Sequence, residues 1–342
     1  MKYRFLGDSG LLVSQFGIGC FPFTDTPALS TVHKAYEILS KAYDHGVNFW
    51  DTAEIYGHGA NEVLIGQVFR RGVGDKRWSR EDLVITTKLF PGTKNGPNAA
   101  GLSRKHLVEG IKASLKRLEL EYVDVLICHR PEPFTPIEET VRAMNFIIDQ
   151  GWAFYWGTSE WLATEILEAC EIADRLGLIR PICEQVQYNL LERSKVESDF
   201  LPLYKKYKMG LTTWSPLKYG LLTGKYANGI PEGSRLSSDH HAAVVAPIFE
   251  QRVRQVEKLR PIAEELGCSI AQLALAWVTS NTNVSTMLLG ATSLRQLEEN
   301  VDALAIVPKL TEEVKAQIDM AIPRELKLAT HDGFVALRKQ YL

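Results

Sequence analysis

The chain alternates between short apolar runs and longer segments in which apolar positions recur at helical spacing. Runs of roughly four to eight apolar or β-branched residues are typical of strands buried on both faces, as in parallel sheets. Residues 2–15 predict two short strands around a glycine-containing turn. Eight further strands are then predicted, at residues 16–20, 47–52, 83–89, 122–128, 152–157, 182–187, 210–214 and 285–289.

Amphipathic helices are predicted between these strands. Residues 103–120 carry leucine and isoleucine at helical spacing behind the N-cap residue Ser103, and residues 135–151 open with Thr-Pro and close with glycine. Residues 269–281 and 293–304 show the same periodicity. This alternation predicts an α/β fold, a (β/α)8 TIM barrel with an N-terminal β-hairpin and its active site at the C-terminal face of the strands. A doubly wound sheet is the structural alternative.

No domain boundary interrupts the pattern, so residues 1–342 are predicted to form a single domain. The tail, residues 324–342, is expected to pack on the outside of the barrel or to fray. The irregular stretch at 224–250 is predicted to be a lid or binding loop, with a disordered insertion as the alternative, because long loops in compact domains often have a function.

Composition excludes several classes of function. With 342 residues, 45% of them hydrophobic, and a formal net charge of −2, the chain has ample core and no basic excess that would indicate a nucleic-acid partner. The apolar runs are too short for a membrane span and the N-terminus does not resemble a signal peptide, so we expect a cytoplasmic protein. The five cysteines form no CxxC pair, which predicts reduced thiols and no zinc or other metal framework.

Titratable side chains follow three consecutive predicted strands. Asp51, Lys88 and His129 each stand at a strand end, and Tyr56 lies in the loop after the second barrel strand. The C-terminal ends of barrel strands meet at one face, so these groups are expected to converge there. Taken singly, each has an ordinary explanation, such as a solvent-exposed lysine, a turn-capping aspartate, a structural histidine or a packed tyrosine.

The four residue types together suit the protonation of a carbonyl oxygen. An ammonium group at Lys88 would lower the pKa of Tyr56, and Asp51 would keep that ammonium charged in a partly buried place. His129 would hydrogen-bond the substrate oxygen and fix its direction. We therefore expect Lys88 to tune Tyr56 as a proton donor while a hydride reaches the carbonyl carbon.

Around these residues the sequence resembles the aldo-keto reductase superfamily. "DTAEIYGHGANEVLIG" at 51–66 is similar to the strand-2 signature of that family, and further matches follow in order at 156–161, 183–190, 214–226 and 288–300. The branch it resembles most comprises the β subunits of voltage-gated potassium channels and their microbial relatives. The resemblance implies a TIM barrel, NADPH as cofactor, and a catalytic tetrad of Asp51, Tyr56, Lys88 and His129.

The sequence departs from the animal channel subunits at three places. His129 stands where those subunits carry asparagine, which restores the enzymatic tetrad and favours a working reductase. Glu160 stands where they carry arginine, so no cofactor contact is predicted for that side chain. Cys20 and Phe21 replace a Thr-Trp pair, which alters the wall of the pocket.

The dinucleotide is not predicted to bind through a Rossmann or P-loop motif. "GIGCFPF" lacks the third glycine, and "GLLTGKY" has the wrong glycine spacing. The resemblance instead implies an extended dinucleotide over the barrel mouth. Its nicotinamide end would contact Cys20, Phe21, Asp51, Ser159, Gln185 and Trp214, and Asn189 is a further candidate. Its pyrophosphate would meet Ser215, Pro216, Leu217, Gly220 and Lys225. Its adenosine 2′-phosphate and adenine would meet Arg235, Gly290, Thr292, Gln296, Glu299 and Asn300.

Physical chemistry supports a phosphate site in the same region. The Gly-Ala-Thr-Ser turn at 290–293 begins a predicted helix, where backbone N–H groups and the helix dipole favour phosphate. Either Arg235 or Arg295 could select NADP over NAD by pairing the extra phosphate, although each taken alone is also compatible with a solvated surface arginine.

Three functions are compatible with these observations. The first is NADPH-dependent reduction of a small aldehyde or ketone in a pocket formed by Phe21, Tyr56, Phe90, His129 and Trp161. The second is a redox-sensing regulatory β subunit bound to the cytoplasmic domain of a potassium channel, with slow turnover. The third is a Schiff-base lyase that uses Lys88. A homotetramer is expected only by analogy with the channel-subunit branch.

Overall fold

The structure, a computed structural model, describes residues 1–26, 29–237 and 246–342. A two-stranded antiparallel hairpin, β1 (Tyr3–Phe5) and β2 (Leu12–Ser14), precedes a closed barrel of parallel strands. The barrel strands, in the order in which they neighbour one another, are β3 (Phe16–Gly19), β4 (Phe49–Asp51), β5 (Val84–Leu89), β6 (Val123–Cys128), β7 (Ala153–Ser159), β8 (Cys183–Gln187), β9 (Gly210–Trp214) and β10 (Val284–Leu289), which pairs with β3.

Helices surround the barrel and connect its strands. The α-helices in the described part of the chain are α1 (Pro22–Asp25), α2 (Val32–Asp44), α3 (Ala60–Gly74), α4 (Arg104–Leu118), α5 (Ile137–Asp149), α6 (Ala163–Leu176), α7 (Leu201–Tyr207), α8 (Phe249–Glu257), α9 (Arg260–Leu266), α10 (Ile270–Ser280), α11 (Leu294–Val301) and α12 (Glu312–Ala321). Short 3-10 segments include Tyr56–Gly59, Lys218–Thr223 and Gly333–Tyr341.

The hairpin closes the N-terminal end of the barrel. Leu6 and Val13 are fully buried in the cluster that fills the barrel interior, together with Phe49 and Cys183 from the strands. Gly7 adopts a positive φ of 59°, and a Cβ there would lie 2.0 Å from the Ile182 carbonyl oxygen. Only glycine allows this close approach, so the hairpin turn sits tightly against the start of β8.

The side chains of each strand alternate between the interior and the helical layer. In β5, Thr86 and Lys88 reach Asp51 inside the barrel, whereas the Thr87 hydroxyl donates outward to Glu62 on α3 at 2.5 Å. This two-residue period means that every second residue near the C-terminal end of a strand faces the mouth. The barrel therefore presents Asp51 and Lys88 to the same space.

The predicted barrel and hairpin are confirmed, and the closed ring of strands excludes the doubly wound alternative. In the region predicted to form a lid, 224–250, residues 238–245 lie outside the described residues. All five cysteines are free thiols. Among the helices of the described residues, none combines the length and apolar character that crossing a bilayer requires.

The C-terminal tail packs on the outside of the barrel, against loops at its C-terminal face. Arg338 donates to the buried carboxylate of Glu132 at 2.7 Å, and Arg130 donates to Asp332 at 2.5 Å. Glu132 and Arg130 both follow β6, so residues 332–341 pack on loops at the C-terminal face. A buried carboxylate such as Glu132 needs a cationic partner, and the tail supplies one.

Candidate active site

A buried lysine lies at the centre of the site. The Lys88 side chain on β5 is fully buried, and its Nζ donates to Asp51 Oδ2 at 2.6 Å, to the Thr52 carbonyl oxygen at 2.9 Å and to the Tyr56 hydroxyl at 3.0 Å. These acceptors use all three N–H donors of an ammonium group. Lys88 is thus held as a cation between a carboxylate and a phenol.

Asp51 ends β4 and is also held from the other strands. Its Oδ1 accepts from Thr86 Oγ1 at 2.8 Å and from Gln185 Nε2 at 3.0 Å. Thr86 is not among the predicted site residues, although its position two residues before Lys88 places it on the same face of β5. These contacts fix the carboxylate on the side that faces Lys88.

Tyr56 is positioned by a tight turn directly after β4. Its backbone N–H donates to the Ala53 carbonyl at 3.1 Å, and the following Gly57 and His58 both have positive φ. The phenol ring packs edge-on against Phe21, with the two ring centroids 5.1 Å apart. Lys88 Nζ lies 4.7 Å from the centroid of the Tyr56 ring. The hydroxyl is therefore fixed at the ammonium, at the mouth of the barrel.

The pKa shifts of Lys88 and Tyr56 differ in part from those that the sequence predicts. Burial acts to lower the pKa of Lys88, but the charges and hydrogen bonds of Asp51 and Tyr56 together outweigh it, so that the pKa lies above its ordinary value. Burial raises the pKa of Tyr56, and Lys88 and Arg130 oppose this only in part. The expected lowering of the Tyr56 pKa by Lys88 is present as a contribution, but the net shift is upward because desolvation of the phenolate is the larger effect.

His129 follows β6 and faces Tyr56. The two ring centroids are 5.8 Å apart at an interplanar angle of 80°. Burial, reinforced by the charges of Arg130 and Lys88, lowers the pKa of His129 well below its ordinary value, so the imidazole is neutral. Its Nδ1 is buried, and no hydrogen-bond partner for it occurs in residues 1–26, 29–237 and 246–342.

A second buried carboxylate supports the loop after β5. Glu54 Oε1 accepts from the backbone N–H groups of Phe90 and Gly92 at 2.8 and 2.9 Å, and lies 3.1 Å from His106 Nε2. Glu54 is not among the predicted site residues, although it lies in segment 51–66, which is similar to the family signature. Glu54 fixes the backbone that follows Lys88.

Besides Tyr56 and His129, the three aromatic residues predicted to line the substrate pocket come from three further strand ends. Phe21 follows β3 and touches Tyr56, whereas Phe90 follows β5 and Trp161 follows β7; both of the latter are almost fully buried. The indole Nε1 of Trp161 is buried, and the described residues provide no hydrogen-bond partner for it.

The residues predicted for the nicotinamide end lie at neighbouring strand ends. Ser159 and Trp214 end β7 and β9, Gln185 lies in β8 and donates to Asp51, and buried Cys20 follows β3. Asn189 differs, because its amide is already bonded to the Ser215 carbonyl and to two backbone N–H groups. These hydrogen bonds connect Asn189 to the loop that carries Ser215.

The segment predicted for the pyrophosphate is a strained turn. Ser215 has a φ of 54° and Gly220 a φ of 88°, within a chain that turns sharply after β9. A Cβ at Gly220 would lie 2.9 Å from the Lys225 side chain, so a larger residue would displace that lysine. Pro216 is buried and Leu217 partly buried, and both belong to the same turn.

Two cations of this region lie near each other. Arg235 stacks over the rings of Phe21 and Tyr219, 5.5 and 5.4 Å from their centroids, and its guanidinium lies 3.9 Å from Asp25. Burial lowers the pKa of Lys225, and the charge of Arg235 lowers it further. A phosphate between these cations would relieve their repulsion, so the residues fit a phosphorylated ligand.

The last group of predicted cofactor residues lies after β10, around the start of α11. Ser293 caps that helix, and the backbone N–H and hydroxyl of Thr292 donate to Gln296 Oε1 at 2.9 and 2.8 Å. Gly290 precedes this turn. Glu299 is paired with Arg295 at 2.6 Å on the exposed face, and Asn300 follows it. The helix start suits an anion, but Arg295 is already neutralised.

Comparison with known proteins agrees with the family resemblance found in the sequence. A sequence model described as the Aldo/keto reductase family matches residues 15–323. The chain is 51% identical, over 329 residues, to a probable voltage-gated potassium channel subunit beta of Oryza sativa subsp. japonica, with 96% of this chain and 98% of that protein covered. A protein of the same description from Arabidopsis thaliana gives the same identity and coverage. A putative subunit of that kind from Schizosaccharomyces pombe is 48% identical, with 93% and 92% covered.

Proposed function

Because the chain belongs to the aldo/keto reductase family, we propose that it reduces aldehyde or ketone carbonyls to alcohols with NADPH. The observation that carries the proposal is the buried Lys88 ammonium, which contacts both Asp51 and the Tyr56 hydroxyl within 3.0 Å. A cation in that place is costly unless it is paired, and it stabilises a phenolate directly beside the mouth of the barrel.

In this mechanism Tyr56 is the general acid. A proton donor must hold its proton until negative charge develops on the substrate oxygen, and burial holds the proton on Tyr56. Lys88 stabilises the phenolate that remains after transfer, and Asp51 keeps Lys88 charged. The neutral His129 imidazole orients the carbonyl through a hydrogen bond.

The dinucleotide supplies the hydride when it is bound. Ser159 and Gln185 would hold its carboxamide and Trp214 would stack on its ring. Lys225 and Arg235 would bind its phosphates, the latter with selectivity for the 2′-phosphate. The strained turn at Ser215 and the capped start of α11 would bring backbone N–H groups to the remaining phosphate oxygens.

The test is oxidation of NADPH, followed by its absorbance, with a panel of aldehydes such as 4-nitrobenzaldehyde and methylglyoxal. Tyr56→Phe is assayed beside the native protein. We expect native turnover and a loss of about 10²- to 10⁴-fold in the variant, since the substitution removes only the transferable proton. The NADPH dissociation constant should stay the same.

Two results would count against this assignment. Loss of NADPH binding in Tyr56→Phe would mean that the phenol has a binding role. Tight NADPH binding by the native protein without turnover on any aldehyde would favour the regulatory function described below. A Schiff-base lyase is disfavoured, because Lys88 is held as a cation and a charged lysine is a poor nucleophile; absence of borohydride trapping on Lys88 would agree with this.

A second candidate is association with a voltage-gated potassium channel, as a redox-sensing regulatory subunit with slow turnover. The supporting observation is the similarity to proteins named as channel β subunits, over more than nine-tenths of this chain. Co-purification with the cytoplasmic domain of a channel from the same cells tests it. If tagged protein recovers no channel under conditions that preserve membrane complexes, the proposal fails. The two functions are compatible with each other.

We further propose that residues 1–342 form one domain, located in the cytoplasm and assembled as a homotetramer. The family match over residues 15–323 supports one domain, whereas the tetramer rests on analogy with the channel-subunit branch. Light scattering coupled to gel filtration measures the assembly directly. A monomer near 38.4 kDa would contradict the tetramer.

A further inference from the structure

The side chain of Glu160 ties together the C-terminal ends of three neighbouring strands. Glu160 directly follows β7 and has a φ of 57°. Its Oε1 accepts from the backbone N–H of Gln187, the last residue of β8, at 2.7 Å and from the indole Nε1 of Trp214, the last residue of β9, at 2.9 Å. Its Oε2 accepts from Lys195 Nζ at 2.8 Å.

We infer that Glu160 is a positioning residue that fixes the orientation of the Trp214 indole and thereby the ring face offered to the nicotinamide. The hydrogen bond between Trp214 and Glu160 does not depend on a ligand. Its consequence for the nicotinamide rests on the proposed dinucleotide function. An indole has a single N–H donor, so a ring turned over about its Cβ–Cγ bond loses the Glu160 acceptor. The hydrogen bond therefore selects one ring orientation.

Three features make Glu160 a rigid acceptor. Its side chain is only 16% exposed and that of its partner Lys195 is 17% exposed. Burial acts to raise the pKa of Glu160, but Lys195 and the Gln187 N–H hold it below the ordinary value, so the carboxylate stays charged. Gln187 and Trp214 are direct neighbours in the β8–β9 ladder. The oxygen that receives the indole N–H is thus anchored to the backbone beside Trp214.

A purely structural role is the competing explanation, in which Glu160 only joins strand ends. A double-mutant cycle separates the two, because Trp214→Phe keeps an aromatic face but removes the N–H donor. NADPH dissociation constants are measured by cofactor fluorescence for the native protein, Glu160→Ala, Trp214→Phe and the double variant. We expect Glu160→Ala to weaken binding about tenfold or more, as for a lost hydrogen bond to a charged group.

In the Trp214→Phe background the same Glu160→Ala substitution should change NADPH affinity by less than about threefold, since no donor is left to position. Equal losses in both backgrounds would overturn the inference. Glu160→Gln, which keeps an acceptor oxygen, should bind NADPH nearly as the native protein does. Thermal unfolding checks that each variant is folded, and Glu160→Met replaces Glu160→Ala if that variant does not fold.

A second measurement needs no cofactor. The protein is labelled with 5-fluorotryptophan, and the Trp214 fluorine resonance is assigned by its absence in Trp214→Phe. Glu160→Ala should shift or broaden this resonance in the free protein, whereas Glu160→Gln should leave it near its native position. An unchanged resonance in Glu160→Ala would overturn the inference. If the native protein fails to bind NADPH, the proposed function fails, and the fluorine spectrum still decides whether Glu160 orients Trp214.

Discussion

The barrel mouth has two sides that are built in different ways. On the proposed catalytic side, formed by the ends of β4, β5 and β6, Lys88 is fully buried and every N–H of its ammonium has an acceptor within 3.0 Å. On the proposed dinucleotide side, formed by residues 215–237 and the start of α11, the cations Lys225 and Arg235 are more open. Arg235 is 38% exposed and 3.9 Å from Asp25.

The difference follows from the cost of desolvating a charge. A buried ammonium without a partner would lose its proton or destabilise the fold, so the catalytic side must be complete before any substrate arrives. A partly hydrated guanidinium such as Arg235 keeps its charge because water still solvates it. Proton transfer needs fixed atoms, whereas phosphate binding tolerates side chains that adjust. The following variants test this contrast.

Lys88→Met should have the largest effect. It leaves Asp51 as a buried carboxylate without its cation, and we expect the free energy of unfolding to fall by about 3–5 kcal/mol. Urea denaturation measures this. Removing both charges in Asp51→Asn/Lys88→Met should restore part of the loss. A double variant less stable than Lys88→Met would contradict the idea that the unpaired carboxylate causes the damage.

Arg235→Ala should act on ligand binding and leave stability unchanged. We expect about 10- to 100-fold weaker NADPH binding, with NADH affinity nearly unchanged, because a charge-assisted hydrogen bond to the 2′-phosphate is lost. Titration calorimetry with both dinucleotides measures the ratio.

Arg295→Ala is the matched control for Arg235→Ala. Arg295 is 77% exposed and already paired with Glu299, so its removal should change NADPH affinity by less than about twofold, as for other exposed ion pairs. If Arg235→Ala weakens the binding of NADPH and of NADH equally, Arg235 does not bind the 2′-phosphate.

His129→Asn should change how stability depends on pH. Burial and the nearby charges of Arg130 and Lys88 lower the pKa of His129, so the folded protein keeps the ring neutral. The unfolded chain gains a proton as the pH falls below about 6.5 and then binds more protons than the folded state, so stability is lost as the pH falls. The slope is at most about 1.4 kcal/mol per pH unit for this group.

Denaturant unfolding of the native protein and His129→Asn between pH 5 and 7 measures that contribution. The variant should lose less stability than the native protein on acidification, because asparagine does not titrate. Parallel pH profiles for the two proteins would contradict a buried neutral imidazole. The other histidines are common to both proteins and cancel in the difference.

The sequence by itself determined the architecture. Apolar runs and helical periods predicted eight barrel strands, and the observed bounds, such as Val84–Leu89 for the predicted 83–89, differ by a few residues at the ends. The predicted strands also placed Asp51, Lys88 and His129 at strand ends. Parallel strands in a barrel bring their C-terminal ends to one face, so the local pattern was enough to group these residues.

Tertiary structure decided how the grouped residues act on one another. Gln185 reaches Asp51 across 134 positions of the chain, and Glu160 meets Trp214 across 54, contacts that no local period encodes. The net pKa shift of Tyr56 is upward because burial outweighs the Lys88 ammonium, a balance that sequence reasoning could not weigh. Spacing along the chain specifies which face a side chain occupies, whereas desolvation and hydrogen-bond partners depend on distances that exist only after the barrel closes.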